Sequence, residues 1–260
     1  MINLDLIKQY FPEYLQDKVA LQKYFLKEYL QVLILDYLSN TAYIQKIAFI
    51  GGTYLRLIKG IDRFSEDLDF DCKDLSKEQF LEMTDNVIQF LNRNGFHVIA
   101  RDRKSDKLQA FRRNIHFPQF LFDLGLTGHK EERFLVKIEA QDQNVSYSSI
   151  MVNIKSCGFF FPFPAPPDDI LCAMKLSALL SRKKGRDFYD AIFLLSQTKP
   201  NYKYLSQKSG IKNVVELKNA IYEVLKVTEL NHKMRDFEHL LFKKEKGKII
   251  LRFKDFIDTL

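Results

Sequence analysis

Apolar residues Val19, Leu26, Leu30, Leu33 and Tyr37 recur at spacings of three, four and seven with Lys and Glu between them, which predicts an amphipathic helix over residues 17–38. The period then changes. Residues 47–50 are all apolar and end at Gly51-Gly52, the pattern of a buried strand entering a tight turn, after which Thr53 is placed to cap a short helix that stops at Gly60. A second strand is expected over residues 68–71. Ser76 with Gln79 three residues on is a capping-box pattern, and Phe80, Met83, Val87, Phe90 and Leu91 carry a helix to the stop at Asn94-Gly95.

Further strands are expected over residues 96–101, 109–117, 120–124 and 134–140, the last because Leu135-Val136-Lys137-Ile138-Glu139 partly alternates apolar with charged positions. Prolines then crowd residues 161–167 and should exclude regular structure, so a domain boundary is placed there, with residues 1–161 on one side and 162–260 on the other. Asp168 should cap a helix to about residue 180. A basic link over residues 181–185 leads to a second helix from Arg186 or Asp187 to Leu195, and the remainder reads as mostly helical. The fold class is α+β: a mixed β-sheet core flanked by helices, with a mostly helical C-terminal part.

At 260 residues with 46% hydrophobic and 28% charged residues, the chain has the balance of a globular protein. No apolar run approaches the roughly 20 residues of a spanning helix, and the first five residues carry an acid where a signal peptide has basic ones, so a cytoplasmic protein with no membrane partner is expected. Cys72, Cys157 and Cys172 show no CxxC spacing and read as buried thiols. Lys and Arg number 40 against 33 acids, a net charge of +7 that favours an anionic partner. Basic residues gather at 101–107 with Arg112 and Arg113, at 182–186 and at 243–248, which points toward nucleic acid.

Asp67 and Asp69 stand two apart on a predicted strand and therefore share a face, with Leu68 turned to the core. Two such carboxylates repel unless a cation lies between them, and hard divalent ions such as Mg²⁺ favour their oxygens. Gly51, Gly52 and Thr53, opening a helix after the neighbouring strand, form a candidate phosphate cradle of backbone N–H groups. Glu139 is the preferred third carboxylate of a two-metal site and Asp123 the alternative. Lys175, Arg186 and Asp187 form the last constellation: Lys175 and Arg186 would meet triphosphate oxygens, Asp187 would orient one of them, and Asp187 and Asp190, three apart on one helix face, are placed to pair with Lys175 or Arg186. Arg63 and Ser65 join the nucleotide-binding candidates. Neither a kinase HRD and DFG set nor a GxxxxGK[ST] loop occurs.

Taken together, GGTYLRL with RFSEDLDF, then VKIEA, then AMKLSALLSRKKGRDFYDAIFLL resemble the AbiEii/AbiGii-type toxin family of nucleotidyltransferases, related to the polymerase β-like superfamily, over residues 47–195. The resemblance implies a mixed-sheet catalytic core with Asp67 and Asp69 as metal ligands, Gly51, Gly52 and Thr53 near the phosphates, and Lys175, Arg186 and Asp187 completing the site from the helical part. It further implies Mg²⁺ or Mn²⁺, a nucleoside triphosphate substrate, an RNA acceptor such as the 3′ end of tRNA, and a cognate antitoxin. Two other readings remain open at this point: a non-catalytic nucleic-acid-binding module, and a phosphotransferase acting on a protein or small molecule.

Overall fold

The apolar run after Lys46 forms strand β1 (Ile47–Ile50), and the DLDFDC segment forms β2 (Asp67–Cys72) antiparallel to it. Strands β3 (Ile99–Ala100), β4 (Phe111–His116) and β5 (Leu135–Gln141) complete a mixed sheet of order β1-β2-β5-β4-β3, in which β2 and β5 run parallel. The computed structural model describes residues 2–102 and 110–260, so part of the expected strand over 109–117 and part of the basic stretch at 101–107 lie outside the described residues. The chain forms two compact units. Unit 1 comprises Met1–Gly60, Phe64–Asn144 and Ser149–Ala165; unit 2 comprises Ile61–Arg63, Val145–Ser148 and Pro166–Leu260.

In unit 1, one face of the sheet is apolar and covered. Leu68, Phe70, Ile115, Val136, Ile138 and Ala140 are all buried there, with helix α1 (Gln22–Ser39) against β5 and helix α3 (Lys77–Arg93) against β3 and β4. Between α1 and α3 lies helix α2 (Gly51–Leu57), which leaves β1 without a break. The capping box of Ser76 and Gln79 forms at the start of α3 as the sequence predicts. Phe49 and Phe70 of the sheet share one core with Phe163, their ring centroids 5.9–6.0 Å apart.

Three expectations for unit 1 need correction. Residues 120–124 form no strand: Phe120–Asp123 is a single helical turn, α4, in which Phe120 packs on Phe117 and Phe134, and a segment this short carries no decisive period. Residues 96–101 shrink to the two-residue β3, because the Asn92 side chain bonds both the N–H and the carbonyl of Val98, at 3.1 Å each, and takes them out of the ladder. The proline run is not irregular either: β6 (Ile150–Ser156) pairs with β7 (Phe159–Ala165), and Pro162 and Pro164 sit in β7. A two-stranded ribbon tolerates them because proline at alternate positions removes donors from the unpaired edge, while Phe161, Phe163 and Ala165 bury the other face.

Unit 2 is helical. After Pro167 come α5 (Asp168–Arg182) and α6 (Gly185–Leu195), followed by helices Tyr202–Ser209, Val214–Lys226, Leu230–Arg235 and Phe253–Asp258. Ile61–Arg63 belongs here too, through a bridge between Arg63 and Leu241 and a 3.2 Å hydrogen bond from the Phe242 N–H to the Asp62 carbonyl. Among the described residues no helix is long and apolar enough to cross a membrane. All three cysteines are buried, and burial pushes each thiol up to about 12, so they are protonated at neutral pH.

Gly185 opens α6 at a point where a Cβ would lie 1.8 Å from the Lys233 carbonyl oxygen. No side chain fits there without moving backbone. Gly185→Ala is expected to destabilise the protein by about 1–3 kcal/mol, read as a lower urea midpoint; an unchanged midpoint would contradict this packing.

Candidate active site

Alternation along β2 and β5 leaves a polar face on the sheet of unit 1. Asp67 and Asp69 rise from β2, Lys137 and Glu139 from β5, and Arg112, Asn114 and His116 from β4, each only partly buried or exposed, while the intervening residues point to the covered side. The parallel register sets Asp67 opposite Lys137 and Asp69 opposite Glu139; the antiparallel one sets Arg112 opposite Glu139. Lys137 Nζ lies 2.9 Å from Asp67 Oδ2 and 3.6 Å from Glu139 Oε1. Arg112 Nε donates to the same Glu139 oxygen. Burial first, then the cations Arg101 and Arg133, pull His116 below the usual imidazole range and keep it neutral at pH 7.

Glu139 thus shares the face of Asp67 and Asp69, whereas Asp123 is exposed on α4 and off the sheet. Asp71 has the parity of Asp67 and Asp69 but is 3% exposed and accepts the Gln143 N–H at 3.0 Å. Arg113 faces the covered side, bound to Thr84, Asp85 and Asp102, so it is withdrawn from the basic cluster of Arg112 and Arg101. Among the described residues no three His, Cys, Asp or Glu side chains are grouped to hold one metal ion. The donor chemistry of Asp67 and Asp69 nevertheless suits a hard divalent cation, since Mg²⁺ is commonly held by one or two carboxylates with phosphate oxygens and water completing its shell.

The glycine turn is pressed against this face. Gly51 has φ +86°, and a Cβ there would lie 2.2 Å from Asp69 Oδ2, so both the backbone conformation and the space demand glycine. Helix α2 starts at Gly51 with no side-chain cap, leaving its first N–H groups without a side-chain acceptor. Thr53 does not cap the helix as expected. It sits inside the helix, 1% exposed, and its hydroxyl donates to the Asp67 carbonyl at 2.5 Å. Gln31, also 1% exposed, donates to the Ser65 carbonyl at 3.2 Å and reaches Thr53 Oγ1 at 3.5 Å. Gly51, Thr53 and Ser65 are therefore drawn together around the start of β2, with Thr53 and Ser65 buried as supports.

In unit 2, of the two aspartates of α6 it is Asp190 that meets Lys175. Arg63, fully buried, forks onto Asp190 with both contacts at 2.7 Å, and Lys175 Nζ reaches Asp190 Oδ2 at 2.9 Å. Asp190, not Asp187, orients Lys175. Asp187 is fully buried at the start of α6, where it accepts the Lys184 N–H at 3.1 Å and two nitrogens of Arg182. Arg186 is half-buried. Burial alone would raise the Asp190 carboxyl, but Arg63 and Lys175 outweigh it and hold the group well below the usual carboxylate range. Burial pulls the Lys175 ammonium down against the attraction of Asp190, and Arg63 adds to the effect. Two basic side chains thus converge on one buried carboxylate.

Lys137 is singled out by no motif, although it stands two residues before Glu139 on one strand and so on one face. The pairing of Arg63 with Asp190 has no local signal, since 127 residues separate them. Asp190→Asn strands two buried cations and is expected to cost about 3–5 kcal/mol in urea unfolding, whereas Lys175→Met leaves a neutral pair and should cost much less. Equal losses in the two variants would contradict the trio.

With this geometry in view, comparison with known proteins is informative. The family described as nucleotidyl transferase AbiEii toxin, type IV toxin–antitoxin system, matches residues 33–257. Among solved structures the chain is similar to the nucleotidyltransferase toxin MenT4 from Mycobacterium tuberculosis H37Rv, with TM-score 0.67 and 18% identity over 100% of this chain and 91% of that one. It is also similar to JHP933 from Helicobacter pylori, with TM-score 0.51 and 22% identity over 91% of this chain and 90% of that one. No curated protein sequence matches. At these identities the solved structures speak for the fold, and the mixed sheet flanked by helices agrees with them. The family match reaches from α1 to the last helix and takes in the Gly51 turn, the carboxylate face and the Arg63–Asp190–Lys175 trio, so the chain belongs to the AbiEii nucleotidyltransferase toxins of type IV toxin–antitoxin systems.

Proposed function

We propose that this toxin transfers a nucleoside monophosphate from a nucleoside triphosphate to an RNA hydroxyl, at the 3′ end of tRNA, in a reaction that depends on Mg²⁺ or Mn²⁺. The observation that carries this reading is the pair Asp67 and Asp69 on one sheet face with the Gly51 turn pressed against Asp69. Asp67 and Asp69, with Glu139 on the same face, would hold a divalent ion, which would supply Lewis acidity and neutralise charge that builds on the phosphates.

The protein's own residues do the positioning. Thr53 fixes the Asp67 backbone, Gln31 ties Ser65 to the same turn, and the uncapped N–H groups at Gly51 and Gly52 are suited to phosphate oxygens. Lys175 and Arg186 of unit 2 are, by their chemistry, a point charge and a planar fork suited to phosphate oxygens. The acceptor oxygen forms a bond to the α-phosphorus and gives up its proton, the bond to the β-phosphate oxygen breaks, and pyrophosphate leaves. Polyanionic RNA fits the net charge of +7, with exposed Arg101 and Arg112 beside the carboxylate face. A cytoplasmic site of action follows from this acceptor, and the toxin–antitoxin family supplies the expectation of a cognate antitoxin.

The test offers total RNA with each of four triphosphates labelled at the α- or the γ-phosphate. α-Label should enter RNA in the presence of Mg²⁺ or Mn²⁺, γ-label should not, and Asp67→Ala should reduce incorporation to background with the fold retained by circular dichroism. Transfer of γ-label would make the protein a phosphotransferase, and full activity of Asp67→Ala would remove the carboxylate pair from the chemistry.

A further inference from the structure

We infer that Lys137 is a built-in counter-cation of the carboxylate face: it holds Asp67 and Glu139 in the place of a divalent ion and gives them up when one binds. This rests on the metal-dependent reading above. Lys137 rises from β5 directly across from Asp67, and its ammonium is 2.9 Å from Asp67 Oδ2 and 3.6 Å from Glu139 Oε1. These side chains are 17–25% exposed, so their attraction is screened less than that of a surface pair. Arg112 grips Glu139 from the other neighbouring strand.

Charge counting shows why such a lysine is useful. Asp67, Asp69 and Glu139 place three negative charges on adjacent positions of two parallel strands, and Lys137 with Arg112 returns two positive ones. Without a metal these five side chains are therefore nearly balanced in charge. A divalent ion added with both cations in place would instead leave the face with a positive excess, and its approach to Asp67 Oδ2 competes directly with the ammonium. Lysine suits release better than arginine: its charge is compact and its four-carbon stem swings freely, whereas the Arg112 guanidinium is a planar fork. A freed Lys137 remains on the same face, where a phosphate oxygen brought by the triphosphate is a replacement partner. Metal alone should thus bind weakly, and metal with triphosphate well.

The test titrates Mn²⁺ calorimetrically into the metal-free full chain without nucleotide, with Asp67→Ala as the site control. Lys137→Met should bind Mn²⁺ about tenfold more tightly than wild type, since removal of one neighbouring charge typically moves an ion equilibrium by at least that factor. Lys137→Arg should bind no more tightly than wild type. Should Lys137→Met fail to fold, the wild-type protein decides by reductive methylation and mass spectrometry: labelling of Lys137 should rise at saturating Mn²⁺, while that of Lys46, paired with Gln79 and the Asp74 carbonyl, should not. Equal Mn²⁺ affinity in Lys137→Met and wild type, or Lys137 labelling indifferent to bound Mn²⁺, overturns the inference but leaves the metal reading standing. Absence of Mn²⁺ binding in wild type and variant alike overturns both.

Discussion

Two carboxylates on alternate residues of one strand repel, and unit 1 is organised around keeping Asp67 and Asp69 side by side despite that repulsion. The strand cannot turn them apart, because Leu68 and Phe70 between and beyond them are buried in the core and pin the register. Compensation has to come from neighbours. Lys137 and Arg112 arrive from β5 and β4, Thr53 bonds the Asp67 carbonyl, and Gly51 stands so close to Asp69 that no other residue fits. The conformation of α2, the burial of Gln31 and the parallel pairing of β2 with β5 all follow from serving this one face.

Unit 2 answers a related electrostatic question in the opposite sign. Its buried trio sets Arg63 and Lys175 on the single carboxylate of Asp190. A fully buried guanidinium is tolerable only with a bidentate partner, and Asp190 supplies it. Asp187, one helical turn earlier, is left to secure the start of α6 with Arg182 and the Lys184 N–H. The two aspartates of the RDFYD segment, equivalent by spacing, thus differ in duty: one neutralises a long-range buried cation, and the other closes a local helix terminus.

Local chemistry was legible in the sequence and long-range pairing was not. The capping box at Ser76, the buried strand running into Gly51, the shared face of Asp67 and Asp69, and the inward turn of the three cysteines each depend on a few neighbouring residues, and each forms. The Lys137 ion pair needs the parallel register of β2 and β5, and the Arg63–Asp190 fork joins residues 127 apart, so no window of sequence contains either. Rules applied without context failed in the other direction. Proline was read as a strand breaker at 162 and 164, yet the unpaired edge of a ribbon makes its missing donors harmless. Thr53 has the side chain of a cap, but the helix already begins at Gly51 and the hydroxyl serves β2.

Under the proposed transfer, the Gly51 turn sets the position of Asp69. Alanine at this position would press a methyl group to within 2.2 Å of the Asp69 carboxylate and impose a φ of +86° on a residue with a side chain. The most direct measurement is incorporation of α-labelled triphosphate into RNA by Gly51→Ala, compared with Gly60→Ala, where a Cβ meets nothing within 4 Å although φ is +73°. Gly51→Ala should lose roughly a hundredfold or more, the scale expected when a reacting group is displaced by about 1 Å, and Gly60→Ala should change far less. Equal activity in the two variants would contradict this positioning.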